Sequence, residues 1–234
     1  MADFKLEPRY GKQTVPVFKI RKEGKHHHIH DMMVQVMLEG DVSASWLTGE
    51  NYQILPTETQ KNTCYALALK TEFDCVEVYG TALAKDILAR HGHISTVTLD
   101  MEERVWQRVE VQGQPHSHVF SSPRDPVKKT CHLVMRRGSE RAPEITSGVK
   151  DIRLMKTTQS GFQGYIIDQY TDLKPVGSGS TSPDRIMCTE MAADWGFSRS
   201  PASGFVAANA AILDTLIGGY VRDVWIITVC MFVS

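Results

Sequence analysis

Nine histidines invite a metal reading. Four crowd into Lys25-His26-His27-His28-Ile29-His30, and His91/His93 and His116/His118 are pairs spaced two apart. Imidazoles at that spacing share a strand face and hold zinc when a third ligand joins them. No H-E-x-x-H motif occurs, and nothing marks a third ligand for either pair. They read as a polar strand face or a solvated loop. Three other segments carry different chemistry. Tyr10-Gly11-Lys12 places a lysine at the start of a β-rich stretch. A surface lysine is a solvated charge, whereas a desolvated one has a lowered pKa and can act as a base. Pro56-Thr57-Glu58-Thr59-Gln60-Lys61-Asn62-Thr63 reads as a helix start, with Thr57 as cap and Gln60 closing a capping box. Its alternative is a helix N-terminus whose free N–H groups face an anion. Lys156-Thr157-Thr158-Gln159-Ser160-Gly161-Phe162, with Asp184-Arg185 further on, offers an aromatic plate and a planar guanidinium fork. Core packing for Phe162 and a solvated charge for Arg185 are the alternatives there.

These residues need a scaffold, and period-two patterning dominates it. Val34, Val36 and Leu38 alternate with Met33, Gln35 and Met37, and the same holds around Val97–Met101 and Cys131–Met135. Ile152 with Leu154 and Ile186 with Cys188 continue the theme. One apolar and one polar face per strand predicts antiparallel sheet covered on one side. Two segments read as helices: 76–90, with Val76, Tyr79, Leu83, Ile87 and Leu88 on one stripe, and 205–217, closed by Gly218-Gly219. Strands and helices segregate in this order, so the fold class is α+β, built from two related units with a boundary in the turn-rich segment 138–148. The Gly/Ser/Pro-rich stretch 174–183 reads as a flexible connection.

Composition bounds the function. The chain has 234 residues, 26 Lys plus Arg against 27 Asp plus Glu, 42% hydrophobic residues and a net charge of −1. That is a globular composition with no electrostatic pull toward nucleic acid or anionic membrane. Five cysteines without a C-x-x-C pair read as reduced thiols of an intracellular protein. The charged N-terminus is unlike a signal peptide. The ten-residue apolar run Val224–Val233 is short of the roughly 20 residues a membrane span needs.

Taken together, the three chemical segments resemble urate oxidase. With Pro115-His116-Ser117-His118-Val119-Phe120, Ser147-Gly148-Val149-Lys150-Asp151, Leu154-Met155, Asp168-Gln169-Tyr170-Thr171 and Ile186, they follow the family's order from residue 10 to about residue 220. The resemblance implies a tunnelling fold (T-fold), an antiparallel sheet with helices on one face. It divides the chain into a first unit over 1–143 and a partial, incomplete second unit over 144–220. It implies a homotetramer with sites between subunits, and oxidation of urate by O2 to 5-hydroxyisourate and hydrogen peroxide without metal or cofactor. Residue by residue, Lys12 takes the place of the relay lysine. Thr57 takes that of the relay threonine, reaching urate from the neighbouring subunit. Phe162 stacks under the purine, and Arg185 is half of the clamp on its edge. Glu58 stands where the family usually has Asp, one methylene further out, and Gly49-Glu50-Asn51 stands where Gly-Asp-Asn is common.

Residues 221–234 match nothing in the family pattern. The Ser-Val-Gln segment that supplies the other half of the clamp and the Asn-x-His segment that completes the relay are not found. The reading is therefore a urate oxidase by descent whose 234-residue chain turns over little or no urate. The alternative is a non-catalytic subunit that is inactive or associates with full-length subunits; a purine- or pterin-binding relative with other chemistry is the third. Val221-Arg222 fits translation through a splice donor, which sequencing of the mature transcript tests. The family is peroxisomal, but the chain ends Phe232-Val233-Ser234 rather than in a Ser-Lys-Leu-like tripeptide; cytoplasm is the other expectation.

Overall fold

The elements run β1 (Arg9–Glu23), β2 (His26–Gly40), α1 (Ala44–Leu47), α2 (Thr57–Lys70), α3 (Val76–Arg90), β3 (Ile94–Arg104), β4 (Gln107–Val111), β5 (Gln114–Ser121), β6 (Lys128–Arg136), β7 (Glu144–Lys156), β8 (Met187–Phe197) and α4 (Phe205–Arg222). The structure is a computed structural model and describes residues 7–140, 142–158, 160, 166–172, 186–197, 200–201 and 204–222. The expected loop at 174–183 lies outside them.

Alternation in the sequence becomes sheet. Six strands pair in the order β1-β2-β3-β6-β7-β8, each antiparallel to its neighbour, and β4-β5 form a separate ribbon. Val34, Val36 and Leu38 lie on the covered face beside Val97, Leu99 and Met101 and then Cys131, Leu133 and Met135. Helices α2 and α3 cover that face, with Tyr79, Leu83 and Ile87 buried against it. Each fully buried Leu or Ile contributes about 1.5–3 kcal/mol of transfer free energy. The second half has its own cluster, in which Val149, Ile152, Ala193 and Trp195 meet Ile212, Leu213 and Leu216 of α4. The opposite face is polar. There Gln35 donates to Asp100 (3.2 Å) and His132 pairs with Asp100 (2.6 Å), over a shallow cavity of about 690 Å³.

The two halves share a local irregularity. In β1, Gln13 and Thr14 oppose the single residue Gln35, and Thr14 has φ +52°. In β7, Lys150 and Asp151 oppose the single residue Ala192, and Asp151 has φ +64°. Both are bulges with one residue in the left-handed region, which bends the strand and re-aims its neighbours. The first bulge directly follows Lys12. Beside it β1 lies so close to β2 that a Cβ on Gly11 would sit 1.9 Å from the Val36 carbonyl oxygen, so only glycine fits.

Two local expectations are corrected. Gly218-Gly219 does not end α4, which continues to Arg222. Two glycines weaken a helix by about 1 kcal/mol each, and packing of Ile212, Leu213 and Leu216 on β7 and β8 outweighs that local preference. His91 and His93 do not share a strand: His91 caps the C-terminus of α3 and His93 precedes β3, with rings 6.2 Å apart.

One polar network joins the halves. Glu77 of α3 is 2% exposed. Its Oε1 accepts from Ser147 Oγ of β7 (2.6 Å) and from Asn209 Nδ2 of α4 (2.7 Å). Asn209 Oδ1 in turn accepts from the Trp195 indole of β8 (2.8 Å).

Candidate functional site

Lys12 and Thr57 sit on different elements tied together by one residue. Tyr10 precedes Lys12 by two on β1, and its phenol oxygen accepts the Leu55 backbone N–H at 2.9 Å. From the other side Gln60, fully buried on α2, donates its Nε2 to the Leu55 carbonyl at 3.0 Å. Both polar groups of the Leu55 peptide are thus held, two residues before Thr57. Burial keeps the Tyr10 phenol above its usual pKa range, so it is neutral and can act as acceptor. In the sequence reading Tyr10 is only a neighbour of Lys12, and Gln60 only the far end of a capping box. Their signal was position alone, next to Lys12 and one turn after Thr57.

The capping-box expectation is overturned. Pro56 is the N-cap, with no side-chain cap bond, and Thr57 is the first helical residue. Gln60 points inward to Leu55 instead of closing a box, because it is buried under the segment that enters the helix. The first helical bond runs from the Gln60 N–H to the Pro56 carbonyl (3.0 Å). The N–H groups of Thr57, Glu58 and Thr59 therefore have no partner inside the helix, and the positive end of its dipole lies there. Thr57 and Glu58 are both exposed. Lys12 is half-buried, and among the described residues no hydrogen bond or ion pair joins it to Thr57 or Glu58. Helix α2 shows why its period was faint in the sequence: its buried residues are Gln60, Thr63, Cys64 and Ala68, polar or small. Phe162 and Arg185 lie outside the described residues.

The histidines the sequence left apart do come together. His116 and His118 share β5 with rings 4.6 Å apart, and His27 of β2 is 5.7 Å from His118. Arg108 of β4 fastens this corner, donating to the carbonyls of His27, His116 and Ser117 while lying over the Phe120 ring. Among the described residues no group of three His, Cys, Asp or Glu side chains is placed to hold a metal. Partial desolvation, and then Lys22, His118, Arg108 and His28, hold the His27 pKa below the ordinary histidine value. Of these, His118 and Arg108 belong to the ribbon, so His27 binds a proton more readily when the ribbon undocks; docking is favoured above about pH 6.5 and weakens as pH falls below it. We expect amide exchange in residues 107–121, corrected for the intrinsic rate, to accelerate between about pH 7.5 and about pH 5.5 while β2 and β3 stay protected. Equal protection across that range would contradict it.

The thiols are mostly sealed. Burial pushes Cys64 up to about 11 and raises Cys75 and Cys131 further, while Cys188 is exposed. Among these four, a thiol reagent on the folded protein should label Cys188 alone; mass spectrometry reads this, and labelling of Cys131 without unfolding would contradict it.

Comparison with known proteins decides the family. The profile described as Uricase matches residues 8–130 and 145–223. The chain belongs to the uricase family. It is 34% identical over 208 residues to the uricase of Danio rerio, covering 89% of this chain and 66% of that protein. It is 36% identical over 194 residues to the uricase of Dictyostelium discoideum, covering 81% of this chain and 64% of that one. The chain thus spans just under two thirds of these uricases. The crystal structure of uricase from Arthrobacter globiformis superposes with a TM-score of 0.78 at 26% identity, over 97% of this chain and 74% of that one. The fold is the α+β tunnelling fold of the uricase structures, with the sheet covered by helices on one face. No helix among the described residues is long and apolar enough to cross a membrane.

Proposed function

We propose that the protein serves the oxidation of urate with O2 and water to 5-hydroxyisourate and hydrogen peroxide, without metal or organic cofactor, on its own or in assembly with complete subunits. The observation that carries this is the reach of the family match. Lys12, Thr57, Glu58, Phe162 and Arg185 all fall inside its two matched segments. The fold adds a reason for the spacing of the first two, since Tyr10 holds their elements together. Lys12 takes a proton from the Thr57 hydroxyl, which takes one from urate, leaving the electron-rich purine anion that O2 attacks. The open N–H groups at the start of α2 favour that negative charge. Glu58 contacts the purine beside Thr57, Phe162 stacks under it and Arg185 grips its edge. The working assembly is a homotetramer in which Thr57 serves a neighbour's site, and the cell compartment is the peroxisome.

The test follows loss of urate absorbance together with peroxide release by the purified chain. The same assay is run after mixing with a complete uricase subunit, with the activity of that subunit alone at the same concentration subtracted. Peroxide formed in step with urate loss in either preparation supports the assignment. Activity only after mixing assigns this chain the role of an associating subunit, and silence in both removes the proposal.

A further inference from the structure

A second pocket lies at the other end of the covered face. It measures about 220 Å³ and is lined from β1, β2, β3, β4, β5, β6 and the turn between α2 and α3. Arg21 in its wall is nine residues along β1 from Lys12, which is about 30 Å of strand. Nothing in the urate reading uses it.

Its base is a buried contact between an imidazole and a carboxylate. His30 and Glu103 are 5% and 6% exposed, and Nδ1 of the imidazole is 2.7 Å from Oε1 of the carboxylate. That contact fixes a proton on Nδ1 and leaves Nε2 as the ring's remaining polar atom. Nε2 is buried and has no partner among the described residues. The same is true of Nε of Arg21, whose terminal nitrogen meets Glu23 at 3.0 Å. A guanidinium nitrogen is always a donor. Four basic side chains wall this space, Arg21, Arg104, Arg108 and Lys129, with Asp74 and Glu103 among them; Glu23 meets Arg21, and Asp31 lies 3.9 Å from Arg104. Glu103 is committed to His30, and Arg108 to three carbonyls. A single imidazole does not make a metal site, and no three-ligand group is available among the described residues.

Two buried nitrogens without hydrogen-bond partners, one of them a guanidinium N–H, in a pocket walled by four basic side chains call for a ligand that accepts and carries negative charge. We infer that this pocket binds a small oxyanion, phosphate or a short carboxylate, held by Arg21 and His30. Glu103 already occupies Nδ1, and a bound oxyanion completes the ring's hydrogen bonding at Nε2. The Arg21 side chain is 23% exposed, so its head group can close onto the anion from the rim. The volume suits an anion of a few heavy atoms, not a nucleotide.

The experiment titrates the protein with inorganic phosphate and separately with acetate, at ionic strength held constant with sodium chloride. Calorimetry and thermal melting are both read. The expected result is saturable binding that raises the melting temperature. Arg21→Gln should weaken it about tenfold or more, because a charge-assisted bond is lost. Phosphate alone narrows the ligand to a tetrahedral anion, and acetate alone to a carboxylate. In wild-type protein with labelled histidine, the His30 ring nitrogen resonances should shift on saturation, a reading that needs no variant to fold. No saturable binding of either anion overturns the inference. So does binding that Arg21→Gln leaves unchanged, or an unshifted His30. Urate turnover plays no part in any of these readings, so they stand or fall apart from the proposed reaction.

Discussion

Replacing Lys12 with methionine is expected to lower urate turnover by about 10²- to 10⁴-fold, the range for removing a positioned general base. Methionine keeps an apolar stem of similar length and removes only the amine. The variant should leave the fold alone. The Lys12 side chain forms no hydrogen bond or ion pair among the described residues, and such positions change stability by about 0.5 kcal/mol or less. Thr57→Val removes the hydroxyl and should produce a fall of the same order. Thr57 is exposed at the first turn of α2 and caps nothing, so it too carries little structural weight. If the two act as one relay, the double variant should be no slower than the worse single one. The measurement is kcat and KM for urate, in the chain alone or mixed with a complete uricase subunit, beside a thermal melt. A Lys12→Met protein that keeps most of its kcat would remove Lys12 from the chemistry. A large fall in melting temperature would mean that its role is structural instead.

Glu77→Ala should lower stability by about 3 kcal/mol, because each buried donor left without its acceptor costs about 1–3 kcal/mol. The substitution takes the acceptor from Ser147 and Asn209 at once. Ser147 is fully buried, so water does not replace the lost oxygen. Trp195 then donates to an Asn209 that is no longer held from its other side. For a chain of this size the melting temperature should fall by roughly 6–12 °C. Glu77→Gln is the control. It keeps an oxygen for Ser147 and Asn209 and replaces Oε2, which has no partner among the described residues, with an amide. It should stay within about 1 kcal/mol of the parent. Equilibrium urea unfolding separates the cases, and an alanine variant as stable as the parent would show that the network joining α3, β7, β8 and α4 is incidental.

Much of the covered face could be read from the sequence. The stripe Val76, Tyr79, Leu83, Ile87, Leu88 marks a helix over 76–90, and α3 occupies those residues. The alternation in 33–38, 96–102 and 131–136 marks strands, and it holds across β2, β3 and β6 in register. Such patterns are legible because side-chain direction repeats every 3.6 residues in a helix and every two in a strand. The start of α2 was half legible. Its location was clear, but the capping box was wrong, since Gln60 answers to Leu55 rather than to the helix end. The missed β1 bulge and its twin in β7 leave no pattern at all, because Thr14 and Asp151 are ordinary residues in left-handed backbone.

The residues in their linear order establish the family, the one-sided antiparallel sheet and the positions of Lys12 and Thr57 along the chain. All of these are carried by short-range order and by residue identity. The tertiary structure alone decided which distant groups meet. It set Tyr10 against Leu55, His27 against His118, His30 against Glu103 and Glu77 against Ser147 and Asn209. These partners lie between 45 and 132 residues apart, and no local periodicity links positions so far separated. Their pairing follows from strand order and from which face the helices cover. A buried polar group must find its partner wherever the packed sheet brings one within reach.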